Sequence, residues 1–394
     1  MEEELAKRDR AWIEINLENL ENNIKEIKSV IPETCKIMAI VKANAYGHGM
    51  IEIAKKLNEI GIEDFAVATL SEGIKLRKNN ITGNILILGY TDINEIENII
   101  KYDLIQTIVD YEYAKKIEQM KLEKKLKVHI KINTGMNRIG ESYKNIENLI
   151  NIYKMKNTEI LGTFSHLCVS DSTKKDDIEF TNMQINNFFK CIDKIKSLGY
   201  DTGKIHIQAS YGILNYTNVN CDFVRPGIIM YGIYNEDEPK IKLNLKPVLT
   251  LKARITSIKE IEEQESVSYG RTFIANTNKK IATVSIGYAD GFPRNLSNKN
   301  VKVMVNGEYA EIIGRICMDQ LIIDVSKIEG IHQGDIVTLI GEQKEISAET
   351  IANKAETITN ELLCRLGDRL GRKVNNNNKK WRKKIGKRRK YIRK

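Results

Sequence analysis

The residue best placed to do chemistry is a lysine that follows a strand core without a break. Residues 37–50 read IMAIVKANAYGHGM. Ile37, Met38, Ala39, Ile40 and Val41 form an apolar run of strand length, and Lys42 comes next. An ammonium at that point either snorkels into water or sits in a place that offsets its burial. A lysine held away from water shifts toward its neutral amine, the form that attacks a carbonyl to make a Schiff base. Asn44, Tyr46, Gly47, His48 and Gly49 follow. They bring an amide, a hydroxyl, an imidazole and two flexible glycines to the carboxyl end of the strand.

Other polar residues stand where apolar runs end. Asn133, Thr134 and Arg138 follow the run 127–132, in which Lys131 lies, and Ser165 and His166 follow 160–164. Ser210 and Tyr211 follow 204–208, and Arg225, Gly227 and Ile228 fall within 223–231. Taken singly, each has an ordinary explanation: a structural histidine, a serine capping a turn, an arginine paired at the surface. Their common position at strand ends is harder to explain that way, because it sends several polar groups to one rim.

The elements that must position them alternate. Strand patterns at 36–41, 64–68, 84–88, 105–109, 127–132, 160–164, 204–208 and 223–231 are separated by helical stretches such as 50–59, 71–78, 93–101, 143–153 and 177–198. Eight such units predict a TIM (β/α)8 barrel of the α/β class, with its chemistry at the strand ends. No Gly-rich fingerprint follows the first strand, which argues against a dinucleotide-binding open sheet. A strand at 10–17 and a helix at 18–30 precede the barrel strands. The expected barrel domain is 9–242.

From residue 243 the texture changes. Strands are predicted at 248–258, 280–285, 301–305, 311–317, 321–325 and 335–340, with turns at Asn306-Gly307 and Gly334-Asp335 and one late helix at 347–366. A mainly β C-terminal domain over 243–374 is expected. Residues 375–394 read as a polar linker and a basic tail.

The net charge of +10 belongs to that tail. Residues 379–394 hold eleven Lys or Arg and no acid; without them 51 basic residues face 52 acidic ones, a net charge of −1. The tail is expected to be disordered and salt-sensitive, and contact with an anionic surface or nucleic acid is a separate reading of it. Six scattered cysteines without a CxxC pair point to buried thiols in a reducing compartment, not disulfides or a metal site. No run of ~18 apolar residues and no apolar leader is present, so a cytoplasmic protein is expected.

The string VKANAYGHG resembles the pyridoxal phosphate lysine motif of the alanine racemase family. Three later segments are similar to the same family: ESVSYGR around Tyr269, IGYADG around Tyr288, and RICMDQ around Met318. The resemblance implies a Schiff base on Lys42, a phosphate cradle from Tyr46, Ser210, Gly227 and Ile228, and Arg225 on the ring nitrogen of the cofactor. It implies Arg138 near the substrate carboxylate, steadied by a carbamylated Lys131, although Asn133 stands where the family usually has Asp. It also implies a homodimer with shared sites, in which Tyr269 of one subunit is the second base and Tyr288 and Met318 approach the substrate. His166 would link Arg225 to Tyr269.

The expected activity is therefore interconversion of L- and D-alanine by two bases, Lys42 and Tyr269, supplying D-alanine for peptidoglycan. A serine-accepting racemase is the alternative, since residues 206–216 look like that branch of the family and Asp368 replaces a bulky tyrosine usual near the entrance. A related barrel decarboxylase is disfavoured, because an acid and not Arg225 is expected on the ring nitrogen there.

Overall fold

The structure, a computed structural model, describes residues 9–234 and 238–375; the basic tail beyond Asn375 lies outside the described residues. The chain divides into two units. One takes residues 21–246 and 358–364, the other residues 9–20, 247–357 and 365–375.

The first unit is the expected barrel. Its strands are β2 (Lys36–Ile40), β3 (Asp64–Val67), β4 (Asn84–Ile87), β5 (Ile105–Ile108), β6 (Leu126–Asn133), β8 (Thr158–Phe164), β9 (Lys204–His206) and β10 (Phe223–Val224), with a two-residue β7 (Glu141–Ser142) beside β6. They pair in parallel in the order β10-β2-β3-β4-β5-β6-β8-β9. An Ala209–Arg225 bridge and the bond from Arg225 N–H to the Gln208 carbonyl bring the last strand back to β9. Strands such as β3 are buried along their whole length, as parallel strands covered on both faces must be.

The last barrel strand is shorter than the sequence predicts. It stops at Val224, because Pro226 has no N–H to donate, and Ile228–Tyr231 form a 3-10 turn instead of strand.

The second unit is mainly β. Its eight-stranded sheet runs β14 (Lys279–Val284), β17 (Leu321–Asp324), β16 (Glu308–Ile313), β15 (Lys302–Val305), β18 (Ile336–Ile340), β11 (Leu249–Ile261), β1 (Ala11–Ile15), β19 (Gly371–Val374). The strand near the amino terminus, expected with the barrel, lies here, antiparallel to β11 and parallel to β19. The predicted late helix is two helices, Ala348–Lys354 and Thr359–Cys364, broken where Glu356 takes a positive φ of 56°. All six cysteines are free, but Cys168 and Cys364 are exposed, not buried as expected.

Candidate active site

Four residues after β2 turn the chain the wrong way. Ala43, Asn44, Ala45 and Tyr46 all have φ between 51° and 54°, one turn of left-handed helix without a glycine. Each such residue costs about 1–2 kcal/mol, so the turn persists only because its surroundings hold it. Asn44 lends its side-chain oxygen to the N–H of Met50 and its carbonyl to Gly49, and the N–H of Gly47 reaches the carbonyl of Ala43. Gly47 itself has a φ of 81°, and a Cβ there would overlap the Leu363 carbonyl. The turn swings Lys42 over the mouth of the barrel.

A cavity of about 320 Å³ opens there. Of the barrel residues singled out from sequence, Lys42, Tyr46, Lys131, Arg138, His166, Ser210, Tyr211, Arg225, Gly227 and Ile228 line it, whereas Asn44, His48, Asn133, Thr134 and Ser165 do not. Burial lowers the Lys42 amine below the ordinary lysine range, helped by the positive charge of Arg138 and opposed by Cys364 and Glu72. Burial pushes Lys131 well below that range, with Arg225 and Arg138 adding to the effect. Its Nζ lies 4.9 Å from the centre of the Phe164 ring.

Arg225 is buried and well supplied with acceptors. Its Nη2 donates to the carbonyls of Ser165 at 2.7 Å and Ile207 at 3.0 Å, and lies 3.3 Å from Nδ1 of His166. Its Nη1 meets Nδ1 of His206 at 2.6 Å, and Nε2 of His206 meets Nδ1 of His129 at 2.8 Å. Burial brings the guanidinium down to about 10, which leaves it charged near neutrality. The same burial, with Arg225 beside them, holds His166 and His206 well below the usual histidine range and His129 at about 3.

Ser210 opens a short helix, and its hydroxyl accepts from the N–H of Gly227 at 3.0 Å. A Cβ at Gly227 would stand 2.6 Å from the Tyr46 hydroxyl, so only glycine lets the two approach. Ile228 begins a 3-10 turn, whose first N–H groups have no partner inside the turn. Two hydroxyls and a glycine turn, lining one cavity with a depressed amine and a buried guanidinium, fit a small molecule that carries both a phosphate and a carbonyl.

The predicted second-unit residues do not line this cavity. Tyr269 stands 69% exposed on the turn Tyr269–Arg271, with Met318 53% and Tyr288 40% exposed. Their segments are tied together: Tyr288 and Ala289 donate to the carbonyls of Cys317 and Met318, and the Ser268 hydroxyl donates to the Arg315 carbonyl. They form one exposed aromatic and apolar patch, the kind of surface that marks an interaction site. Asp368 belongs to this unit as well. Its carboxylate is fully exposed, 4.0 Å from Arg372.

The sequence analysis missed His206, His129 and Asn360. Asn360 lines the cavity from the helix Thr359–Cys364, a segment that returns to the barrel after the β unit. Two histidines inside apolar barrel strands, β6 and β9 on either side of β8, were the available signal for the buried pair; nothing local marked Asn360.

A parallel barrel with a desolvated amine at its mouth, joined to a mainly β unit, defines a barrel protein built for carbonyl chemistry. The family models agree with that architecture: "Alanine racemase, N-terminal domain" matches residues 15–235 and "Alanine racemase, C-terminal domain" matches residues 248–374. The chain belongs to the alanine racemase family. An alanine racemase from Clostridium perfringens is 42% identical over 93% of this chain and 96% of its own. Two Enterococcus faecalis proteins called amino-acid racemase are also 42% identical, and this chain spans about half of their length. The solved alanine racemase of Clostridium difficile superposes with a TM-score of 0.89 at 39% identity, covering 94% of this chain and 97% of that one. That of Bacillus anthracis, solved with bound L-Ala-P, gives 0.86 at 32%, covering 94% and 96%. Among the described residues no helix is long and apolar enough to cross a membrane.

Proposed function

We propose that the protein is a pyridoxal phosphate-dependent racemase that interconverts L- and D-alanine. One observation carries the reading: the depressed amine of Lys42 opens into the same cavity as Arg225 and the Ser210–Gly227 cradle, in a chain of this family. When bound, the cofactor supplies a carbonyl for the amino group of the substrate and an electron sink that acidifies its α-hydrogen.

Ser210, Tyr46 and the Gly227–Ile228 turn would hold the phosphate. Arg225 would face the ring nitrogen, and as a permanent donor it disfavours a second positive charge there. Arg138 would hold the substrate carboxylate. Lys131, whose burial near two arginines favours the neutral amine, is suited to carbamylation, which would give Arg138 an anionic neighbour. Lys42 takes or returns the α-proton on the face of the D-enantiomer, and the partner subunit's Tyr269 does so on the face of the L-enantiomer. A phenol needs a positive neighbour to serve as a base near neutrality; Arg225 would supply that charge, with His166, 3.3 Å from its Nη2, as the link to Tyr269. The exposed patch of Tyr269, Tyr288 and Met318 supports a homodimer in which these residues complete the cavity of the other subunit. A cytoplasmic enzyme supplying D-alanine for peptidoglycan follows from this reading, with the barrel unit holding the cofactor and the β unit offered to the partner.

A second reading is that serine is also accepted. It is favoured by the likeness to proteins called amino-acid racemases and by Ser170, Asp171 and Asn360 in the cavity wall. Asp368 is placed less well for this role, since its carboxylate faces solvent and Arg372. The test is a panel of L-amino acids followed by chiral chromatography, with a visible absorption band that borohydride bleaches. Failure to produce D-alanine, or the absence of such a band, rejects the proposal.

A further inference from the structure

We infer that Glu72 is a positioning residue for Lys42: its carboxylate ties the turn that follows Lys42 to the end of the neighbouring strand β3. The inference rests on the reading of Lys42 as the cofactor-bearing base.

Reversing the hand of a turn changes where its N–H groups point. Within residues 41–49 the N–H groups of Ala45, Gly47, His48 and Gly49 find carbonyls in the same segment. The N–H of Ala43, the residue directly after Lys42, donates instead to Oε1 of Glu72 at 2.7 Å. The other oxygen of the same carboxylate accepts from the N–H groups of Ala68 at 2.8 Å and Thr69 at 3.3 Å. Those two residues join β3 to the helix Leu70–Lys78, where Thr69 and Glu72 also form a reciprocal cap. β3 is the sheet neighbour of β2. One side chain therefore pins the carboxyl ends of two adjacent strands and the backbone of the strained turn that aims Lys42.

A helix cap alone needs only the Thr69 end of this arrangement. The Ala43 bond is additional, and it spends one oxygen of a charged acceptor on the residue beside the base. Glu72 also supplies negative charge within reach of Lys42, against the opposing effects of burial, Arg138 and Arg225. Glutamine cannot replace it: an amide has one acceptor, and its NH2 would face donors at either Ala43 or Ala68.

The experiment uses the full-length holoenzyme. Glu72→Gln should lower kcat for D-alanine about 10- to 100-fold, the worth of one charge-assisted hydrogen bond, with KM changed by less than about twofold. Amide exchange of the peptide spanning residues 42–49 should accelerate by about tenfold or more. Thr69→Ala, which breaks the cap but leaves the Ala43 bond, should lower Tm and leave both readouts at parental values. Parental kcat and exchange in Glu72→Gln would overturn the inference, and so would the same losses in Thr69→Ala. Should Glu72→Gln not fold, Glu72→Asp keeps the charge and shortens the reach; a fall in kcat supports the role and a parental kcat overturns it. A Lys42→Ala protein that keeps a borohydride-reducible lysine adduct would instead overturn the reading of Lys42, which separates the two failures.

Discussion

Arg225 donates through Nη1 to Nδ1 of His206 across 2.6 Å, and this one bond sets the tautomers of two buried rings. A guanidinium has no acceptor, so Nδ1 of His206 must accept and its Nε2 must carry the hydrogen. That hydrogen goes to Nδ1 of His129, 2.8 Å away. The line is neutral except at Arg225, and its bond to Nη1 helps fix that side chain.

This arrangement predicts how stability depends on pH. Burial and Arg225 hold His129 at about 3, so the folded protein keeps it neutral where the unfolded chain protonates it. Its contribution is complete above the ordinary histidine value near 6.5 and is lost as pH falls toward the folded value. The loss is about 1.4 kcal/mol per pH unit once the unfolded chain is protonated. Urea midpoints between pH 6.5 and 5 should fall, and His129→Gln should flatten that dependence by about one proton. Equal slopes in the two proteins would refute the neutral line.

Lys42→Ala should abolish racemisation and the borohydride-reducible lysine adduct. Lys131 also lines the cavity, but it is buried within β6 against the Phe164 ring. Normal turnover in the variant would move the reactive amine elsewhere.

Tyr269→Ala should damage the two directions unequally, because it removes a base from one face only. Exchange of the α-proton of D-alanine should persist through Lys42. Mixed dimers of Lys42→Ala and Tyr269→Ala subunits should regain one intact site each. Equal small losses in both directions, or no recovery in verified mixed dimers, would reject shared two-base sites.

Lys131 should form a carbamate. Burial, Arg225 and Arg138 favour its neutral amine, the form that adds carbon dioxide, and the carbamate formed is an anion that the two arginines favour. Protein equilibrated with 13C-bicarbonate should show a carbamate carbon by NMR that vanishes in Lys131→Met. An identical signal in the variant would place it on another lysine.

Asn360 should affect substrate choice. Its amide stands in the cavity wall, and one neutral hydrogen bond is worth about 0.5–1.5 kcal/mol, or roughly 2- to 10-fold. Asn360→Ala should lower the catalytic efficiency for L-serine relative to L-alanine by that factor. Asp368→Tyr probes the same ratio from the β unit: a fall there places Asp368 against the cavity of the partner, and no change leaves it an ion-paired surface residue.

Lys42, the eight barrel strands and the polar residues at their ends were all legible in the sequence. Those signals are local: an apolar run of strand length, the alternation of strand and helix, and reactive side chains directly after each run. The β unit was legible in the same way through its short strands and Asn-Gly turn. Other features were set only by tertiary structure. Nothing in the string Ala43-Asn44-Ala45-Tyr46 requires a left-handed turn; bonds within the loop, the backbone at Leu363 and the Glu72 carboxylate impose it. The strand at Ala11–Ile15 joins the β sheet by pairing with β11 and β19, partners more than two hundred residues away that no local pattern points to. The relay from Arg225 to His129 pairs rings 77 positions apart, and Asn360 reaches the cavity only because the chain returns to the barrel after the β unit. Periodicity reports which face of an element is buried, but hydrogen bonds between distant segments exist only once the fold has brought donor and acceptor within 3 Å or so.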